Sequence, residues 1–286
     1  NIISKRSTMK VVIAGLGLIG GSVALALKRQ INVELKGIDK NAAHGKKALK
    51  LGLVPEVTNW ASGLEWADVI ILAIPVNAIE DQLSDLLDRV RADQTIIDLG
   101  STKAEMVNSI KGHKNRGRWV AAHPLAGTEY SGPEAAVYGL FEGKKNIVCH
   151  PEHSDADALK TAYVIFEALG LHTLEMDAAE HDKHLAYVSH LSHVSSFMLG
   201  LAVLQKEKDA ANILNLAGTG FASTVRLAKS LPATWLPIFM ANRCHVLEAL
   251  ETYQQCLDSF KLALQNNNAE ALMQLMNDAN AIKKIL

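Results

Sequence analysis

Lys10-Val11-Val12-Ile13-Ala14-Gly15-Leu16-Gly17-Leu18-Ile19-Gly20-Gly21 decides the fold of this chain. Residues 11–14 form a short β-rich apolar run, as in a strand buried on both faces. Gly15 permits a tight turn out of that strand. Gly17 lets a pyrophosphate approach the backbone without meeting a Cβ. Gly20 lets the next helix pack close to the sheet. That helix, about residues 19–28, turns its free N–H groups, from Leu18 and Ile19 onward, and its positive dipole end to the phosphates.

A GxGxxG pattern alone is weak. Here it follows a strand, opens a helix, and is followed nineteen residues beyond Gly20 by Asp39, at the end of the next strand. That context specifies a dinucleotide site. Asp39 is expected to accept from the ribose hydroxyls, and its charge favours NAD over NADP, although Lys40 lies beside it. Its alternative is a turn residue after a strand.

A secretory signal is a competing reading of the same stretch. Lys5, Arg6 and Lys10 precede an apolar run, and Ala24-Leu25-Ala26 resembles a cleavage site. The glycines interrupt that run at the phosphate-loop positions, and the run is short for a bilayer. No other segment is expected to cross a membrane. Residues 1–8 read as an extension, with Met9 a plausible start.

The chain has 286 residues, enough for two domains. A net charge of -1 gives no case for nucleic acid or an anionic membrane. Cys149, Cys244 and Cys256 are scattered and read as reduced thiols of a cytoplasmic protein.

Strands and helices alternate through the first half, which predicts a doubly wound, mostly parallel sheet. Strands are expected at 54–57, 67–74, 95–99, 119–122, 146–149 and 172–176, with helices at 42–51, 78–90 and 156–169. Gly15, Pro75, Ser101 and His123 each follow a strand, so they should line one crevice at the carboxyl edge of the sheet. The pattern changes near Asp177. The division is residues 1–176, a Rossmann-type dinucleotide-binding domain, and residues 177–286, an all-helical substrate-binding and dimerisation domain. Asp182, Ala186, Ser189, His193, Ser196 and Gly200 form a polar, small-residue stripe on one long helix, about 178–208. That helix is otherwise apolar and is expected in a dimer core. Further helices are expected at 222–229, 235–264 and 269–286.

His123 is the leading chemical candidate, because neutral imidazole takes a proton near physiological pH. The alternative is a structural histidine bonding its own loop. Ser101 either orients that ring or caps the helix after it. His193 shares a helix face with Ser189 and either binds an anionic group or is a satisfied core histidine. His181, Asp182, His184, His190 and His193 are dense enough to raise a metal site. They lack HExxH spacing and a cysteine partner, so no metal is expected. Arg226 either grips a carboxylate or is a surface cation. Trp235 reads as core or dimer interface.

Assembled, the sequence resembles the prephenate/arogenate dehydrogenase family of tyrosine biosynthesis over nearly its whole length. The marks are Gly15 through Ser22, Asp98-Leu99-Gly100-Ser101-Thr102-Lys103, His123-Pro124-Leu125-Ala126-Gly127-Thr128-Glu129, Ser189-His190-Leu191-Ser192-His193 and Thr224-Val225-Arg226-Leu227-Ala228, with Trp235 beyond. The resemblance implies a homodimer with interlocked helical domains and NAD-dependent oxidative decarboxylation of prephenate. It implies that His123 takes the hydroxyl proton, Ser101 orients His123 and Arg226 holds the ring carboxylate. It also implies that Ser189, His193 and Thr128 place the substrate side chain.

Family members often carry a basic-acidic pair where this chain has Ala222-Ser223. The resemblance leaves arogenate as an alternative substrate. A β-hydroxy acid dehydrogenase would rely on a helical lysine, for which Lys183 is the nominee on the first long helix. A non-catalytic NAD sensor would need the glycine loop but not His123, Ser101 and Arg226 together.

Overall fold

The computed structural model describes residues 8–209 and 213–285. The expected extension lies outside these residues except for Thr8. The apolar run forms most of β1 (Met9–Ala14). Its side chains alternate between two cores. Val11 and Ile13 join Val23, Leu27 and Phe166 on one face, and Val12 and Ala14 join Leu64, Ile79 and Leu83 on the other. Both faces are covered, so every residue of the run is apolar.

After β1 come α1 (Leu18–Gln30), β2 (Val33–Ile38), α2 (Ala42–Lys50) and α3 (Trp60–Trp66). Next are β3 (Val69–Leu72), α4 (Val76–Arg89), β4 (Thr95–Asp98), α5 (Ala104–Ser109) and β5 (Trp119–Pro124). These five strands pair in parallel, β1 standing between β2 and β3. The chain then adds β6 (Lys145–Cys149), α6 (Ala156–Ala168) and β7 (His172–Met176). The seven-stranded order is β2-β1-β3-β4-β5-β6-β7, with β6 antiparallel to β5 and β7 parallel to β6.

Three strand expectations change, the first being 67–74, which narrows to Val69–Leu72. Residues 54–57 make no strand and contribute only a bridge from Val57 to Gly37. In contrast, β5 runs past 122 and contains His123, because β6 extends the ladder through His123–Ile147 and Pro124–Asn146. His123 is therefore held by a strand rather than by a loop.

The second half is helical. Asp177 caps α7 (Ala178–Leu185), accepting from the N–H groups of Ala179 and Glu180. A five-residue π turn, Ala186–His190, joins α7 to α8 (Leu191–Asp209). The expected long helix is thus continuous but carries one widened turn. The expected helix at 222–229 is instead α9 (Thr219–Thr224) followed by a 3₁₀ turn, Arg226–Lys229. Ser196 fixes that segment on α8. Its Oγ donates to the Thr224 carbonyl and accepts from the Ala228 N–H, both at 3.0 Å. A Cβ on Gly200 would lie 3.7 Å from the Ala228 side chain, an ordinary contact, so the stripe runs beside the Arg226 segment.

The expected single helix at 235–264 is two, α10 (Pro232–Ala241) and α11 (Arg243–Gln265). Pro232 starts the first, at a position where the missing N–H is harmless. The break falls at Asn242, whose side chain is turned inward. Nδ2 donates to the Asp182 carbonyl at 2.7 Å, and Oδ1 pairs with His245 Nδ1 at 2.8 Å. The last helix, α12 (Ala269–Ala279), ends in a 3₁₀ turn, Asn280–Lys284, sooner than the expected 286.

The stretch Ala178–Glu207 has the length and apolarity of a membrane span. This corrects the expectation that nothing beyond the N-terminal run did. Leu201, Leu204, Met240, Leu257 and Phe260 on α8, α10 and α11 are exposed in the single chain.

Candidate active site

The glycine loop is built as its spacing required. Gly15 has φ +89°, a left-handed conformation that favours glycine. A Cβ on Gly20 would collide with the Gly15 carbonyl, so α1 sits directly against the loop. A Cβ on Gly17 would meet nothing within 4 Å, which leaves the backbone open on that side. Gly17 offers α1 no side-chain cap, so the first-turn N–H groups at Leu18 and Ile19 are available to an anion. This cradle fits the pyrophosphate of a dinucleotide.

Asp39 takes up the turn-residue reading and also braces the glycine loop. Oδ2 accepts from the Leu16 N–H at 2.9 Å, inside the glycine loop, and Oδ1 accepts from the Asn41 N–H at 2.8 Å. It therefore holds the loop and turns the chain into α2, with carboxylate lone pairs left over for hydroxyl donors. Pro75 sits at the start of α4, past β3 on the same sheet edge.

His123 lies at that edge too. Its Nδ1 is 2.9 Å from Nε2 of His181, and His181 Nδ1 is 2.7 Å from Oδ1 of Asp182. Asp182 in turn accepts from the backbone N–H groups of Lys103 and Ala104, both at 2.9 Å. Burial holds the His123 pKa well below the ordinary 6.5, and His181, Lys103 and His190 add to that depression. The imidazole is therefore neutral over the physiological range and able to accept a proton. Ser101 stands on the neighbouring strand end. Among the described residues it makes no hydrogen bond to His123, whose Nδ1 is already taken by His181.

Lys103 is structural. Its ammonium is fully buried, 2.5 Å from Asp98 Oδ1 and 2.6 Å from the Gly100 carbonyl. That clamp shapes the loop bearing Ser101 and presents the amides that fix Asp182.

Ser189 falls in the π turn and His193 on the first turn of α8. His193 Nδ1 is 3.0 Å from the Ser189 carbonyl, and its ring stacks on Trp235 with centroids 3.3 Å apart. Burial lowers the His193 pKa, and the Arg226 charge lowers it further. Arg226 does not stand as a free surface cation. Its Nη1 is 2.8 Å from Oε2 of Glu129, on the loop that leaves β5 after His123. Thr128, next to Glu129, is exposed, and its Oγ1 accepts from the Tyr130 N–H. Lys183, the nominee for β-hydroxy acid chemistry, is exposed and faces Glu248 at 4.0 Å.

Sequence reasoning did not find the pairing of His181 and Asp182 with His123, the Asn242 hub or the Glu129–Arg226 pair. His181 and Asp182 stood out only as members of a histidine-rich stretch. Only contacts between distant segments show which ring they serve.

Two family models match, "Prephenate dehydrogenase, nucleotide-binding domain" over residues 23–175 and "Prephenate dehydrogenase, dimerization domain" over residues 177–278. The chain belongs to the prephenate dehydrogenase family. It is 30% identical over 273 residues to a Bacillus subtilis prephenate dehydrogenase, covering 94% of this chain and 74% of that one. Among solved structures it is similar to Aquifex aeolicus prephenate dehydrogenase in complex with hydroxyphenyl propionate and NAD+. The TM-score there is 0.88 at 30% identity, covering 98% and 99% of the two chains. It is also similar to Synechocystis arogenate dehydrogenase, with TM-score 0.73, 26% identity, and 96% and 99% covered. The chain is thus an oxidoreductase of the prephenate/arogenate dehydrogenase family with a nucleotide-binding domain and a dimerization domain. The apolar helix 178–207 falls inside the dimerization match.

Proposed function

We propose that this chain oxidatively decarboxylates prephenate to 4-hydroxyphenylpyruvate as a homodimer, with NAD as cofactor. The observation that carries the reading is His123, a half-buried neutral imidazole on the same sheet edge as the glycine loop. Gly15, Gly17, Gly20, Leu18, Ile19, Asp39 and Pro75 hold the cofactor, which supplies the hydride acceptor when bound. His123 takes the proton of the ring hydroxyl as its oxygen becomes a carbonyl. Ser101, one strand away, helps enclose that oxygen. Arg226 exchanges Glu129 for the ring carboxylate and holds it until it leaves as carbon dioxide. Aromatisation of the ring drives that loss. Ser189, His193 and Thr128 place the side chain, and the exposed apolar faces of α8, α10 and α11 pack against a second copy.

One observation favours arogenate as the alternative substrate. His193 Nδ1 donates to the Ser189 carbonyl, so the neutral ring presents a bare Nε2. A bare nitrogen accepts from an ammonium group and gives nothing to a keto oxygen.

The experiment is NADH formation by the full chain with prephenate, then with arogenate, and with NADP in place of NAD. Turnover with prephenate and NAD, lowered by roughly two to four orders of magnitude in His123→Asn, is the expected result. Turnover with arogenate alone transfers the site to the other substrate. No turnover with either, in protein that binds NAD, overturns the reading.

A further inference from the structure

With His181 neutral, the hydrogen bonds behind His123 permit one arrangement of protons. Asp182 is a carboxylate held by two backbone amides, so it accepts, and His181 Nδ1 must carry the hydrogen between them. Neutral His181 then has a bare Nε2. The 2.9 Å contact to His123 is closed by a hydrogen on His123 Nδ1. His123 Nε2 is left with its lone pair free. The order is set by Asp182, two residues back along the chain of bonds. His181 and Asp182 are both buried.

The buried charges point the same way. Asp98 is matched by Lys103 at 2.5 Å. Among the described residues Asp182 has no lysine or arginine partner, and its one ion-pair partner is His181 at 2.7 Å. The cluster therefore has a place for one more positive charge, on His181 rather than on His123.

We propose that His181, backed by Asp182, is a positioning residue. It fixes His123 as the Nδ1–H tautomer and receives that proton during turnover. The proposal rests on the assignment of His123 as the base. In the step, the substrate O–H bond breaks and its proton bonds to His123 Nε2. The His123 Nδ1–H bond breaks and that proton bonds to His181 Nε2. The electron pair left on oxygen forms the carbonyl, and hydride passes to the nicotinamide. His123 ends neutral as the Nε2–H tautomer, and His181 ends as an imidazolium against the Asp182 carboxylate. Two protons have each moved one step, the net gain of one proton falls on His181, and the overall charge is conserved.

Asp182→Asn tests the order directly. An asparagine that still accepts from the Lys103 and Ala104 amides must donate from Nδ2 to His181 Nδ1. His181 then carries its hydrogen on Nε2, and His123 is forced to the Nε2–H form, which cannot act as a base. Nitrogen-15 NMR of the histidines in the full-length, NAD-bound protein without substrate reads the tautomer. The expected result is Nδ1–H at His123 in the natural protein and Nε2–H in Asp182→Asn. His181→Gln supplies a second variant: its amide oxygen keeps the His123 tautomer but cannot take the proton. Both variants should lower kcat by about two orders of magnitude or more, with the KM for NAD within about threefold. An Nε2–H tautomer in the natural protein, or full kcat in His181→Gln, overturns the proposal. Because the NMR needs no turnover, an error in the substrate assignment leaves that arm decisive. If Asp182→Asn does not fold, the natural protein's tautomer and His181→Gln decide the question.

Discussion

Arg226 and Glu129 are joined by a 2.8 Å ion pair, so the cation proposed for the substrate is already held by a carboxylate of the same chain. The arginine is half-exposed and the glutamate is not. A substrate carboxylate must compete with Glu129 before it can bind. Glu129→Gln should lower the KM for substrate by about two- to fivefold, as expected for loss of a partly exposed ion pair. Arg226→Ala should raise that KM by at least about tenfold, since a charge-assisted hydrogen bond contributes about 1.5 kcal/mol or more. Steady-state kinetics on both variants checks the pair. A higher KM in Glu129→Gln would mean that Glu129 helps bind substrate.

Asp39 uses both carboxylate oxygens on backbone N–H groups, one of them in the glycine loop. Asparagine keeps one good acceptor and loses the charge. Asp39→Asn should weaken NAD binding and bring the affinity ratio for NAD over NADP closer to one. Calorimetric titration with each dinucleotide reads both effects. An unchanged ratio would return Asp39 to a purely structural role.

Lys103 and Asp98 form a fully buried pair. Lys103→Met leaves the Asp98 carboxylate without a cation, and such a change costs about 3–5 kcal/mol. Urea unfolding should show that loss. Adding Asp98→Asn should restore most of it, because the uncompensated charge is gone.

Glu80 on α4 has its pKa raised to about 7, chiefly by burial and then by Glu105, Asp81 and Asp182, while Lys103 opposes the rise. A raised carboxyl pKa means that the folded state binds this proton more tightly than the unfolded chain does. Its stabilising contribution is complete below the ordinary 4.5 and disappears as pH rises through about 7. Glu80→Gln should therefore gain thermal stability over the natural protein at pH 8. The two melting temperatures should converge near pH 4.5. A constant difference across that range would remove Glu80 as the source.

The nucleotide half was legible because its signals are local. Strand, glycine loop, helix and acid fall within thirty residues, Lys10 to Asp39, and each glycine has a distinct steric reason. The sheet edge followed from alternation alone, and with it the common placement of Gly15, Pro75, Ser101 and His123. The helical half was harder. Asn242 breaks a helix because its side chain bonds Asp182 sixty residues away, and nothing near it in sequence shows this. His123 was read as the base, but its partner was sought on the next strand end. The structure supplies His181 from the first helix of the other half, fifty-eight residues on. Glu129 sat in the quoted motif without an assigned task until Arg226 reached it.

The π turn at Ala186–His190 separates His181 and Asp182 from His193 and Ser196. It holds one residue more than an α-helical turn would need. Removing that surplus would give a more regular helix, and it would rotate everything beyond by about 100°. His193 would leave Trp235, and Ser196 would release the segment bearing Arg226, while His181 stayed on His123. The two ends of this helix are in phase only because of an irregularity between them. A length change of one residue here would uncouple the proposed base and its partner from the side chains proposed to place the substrate.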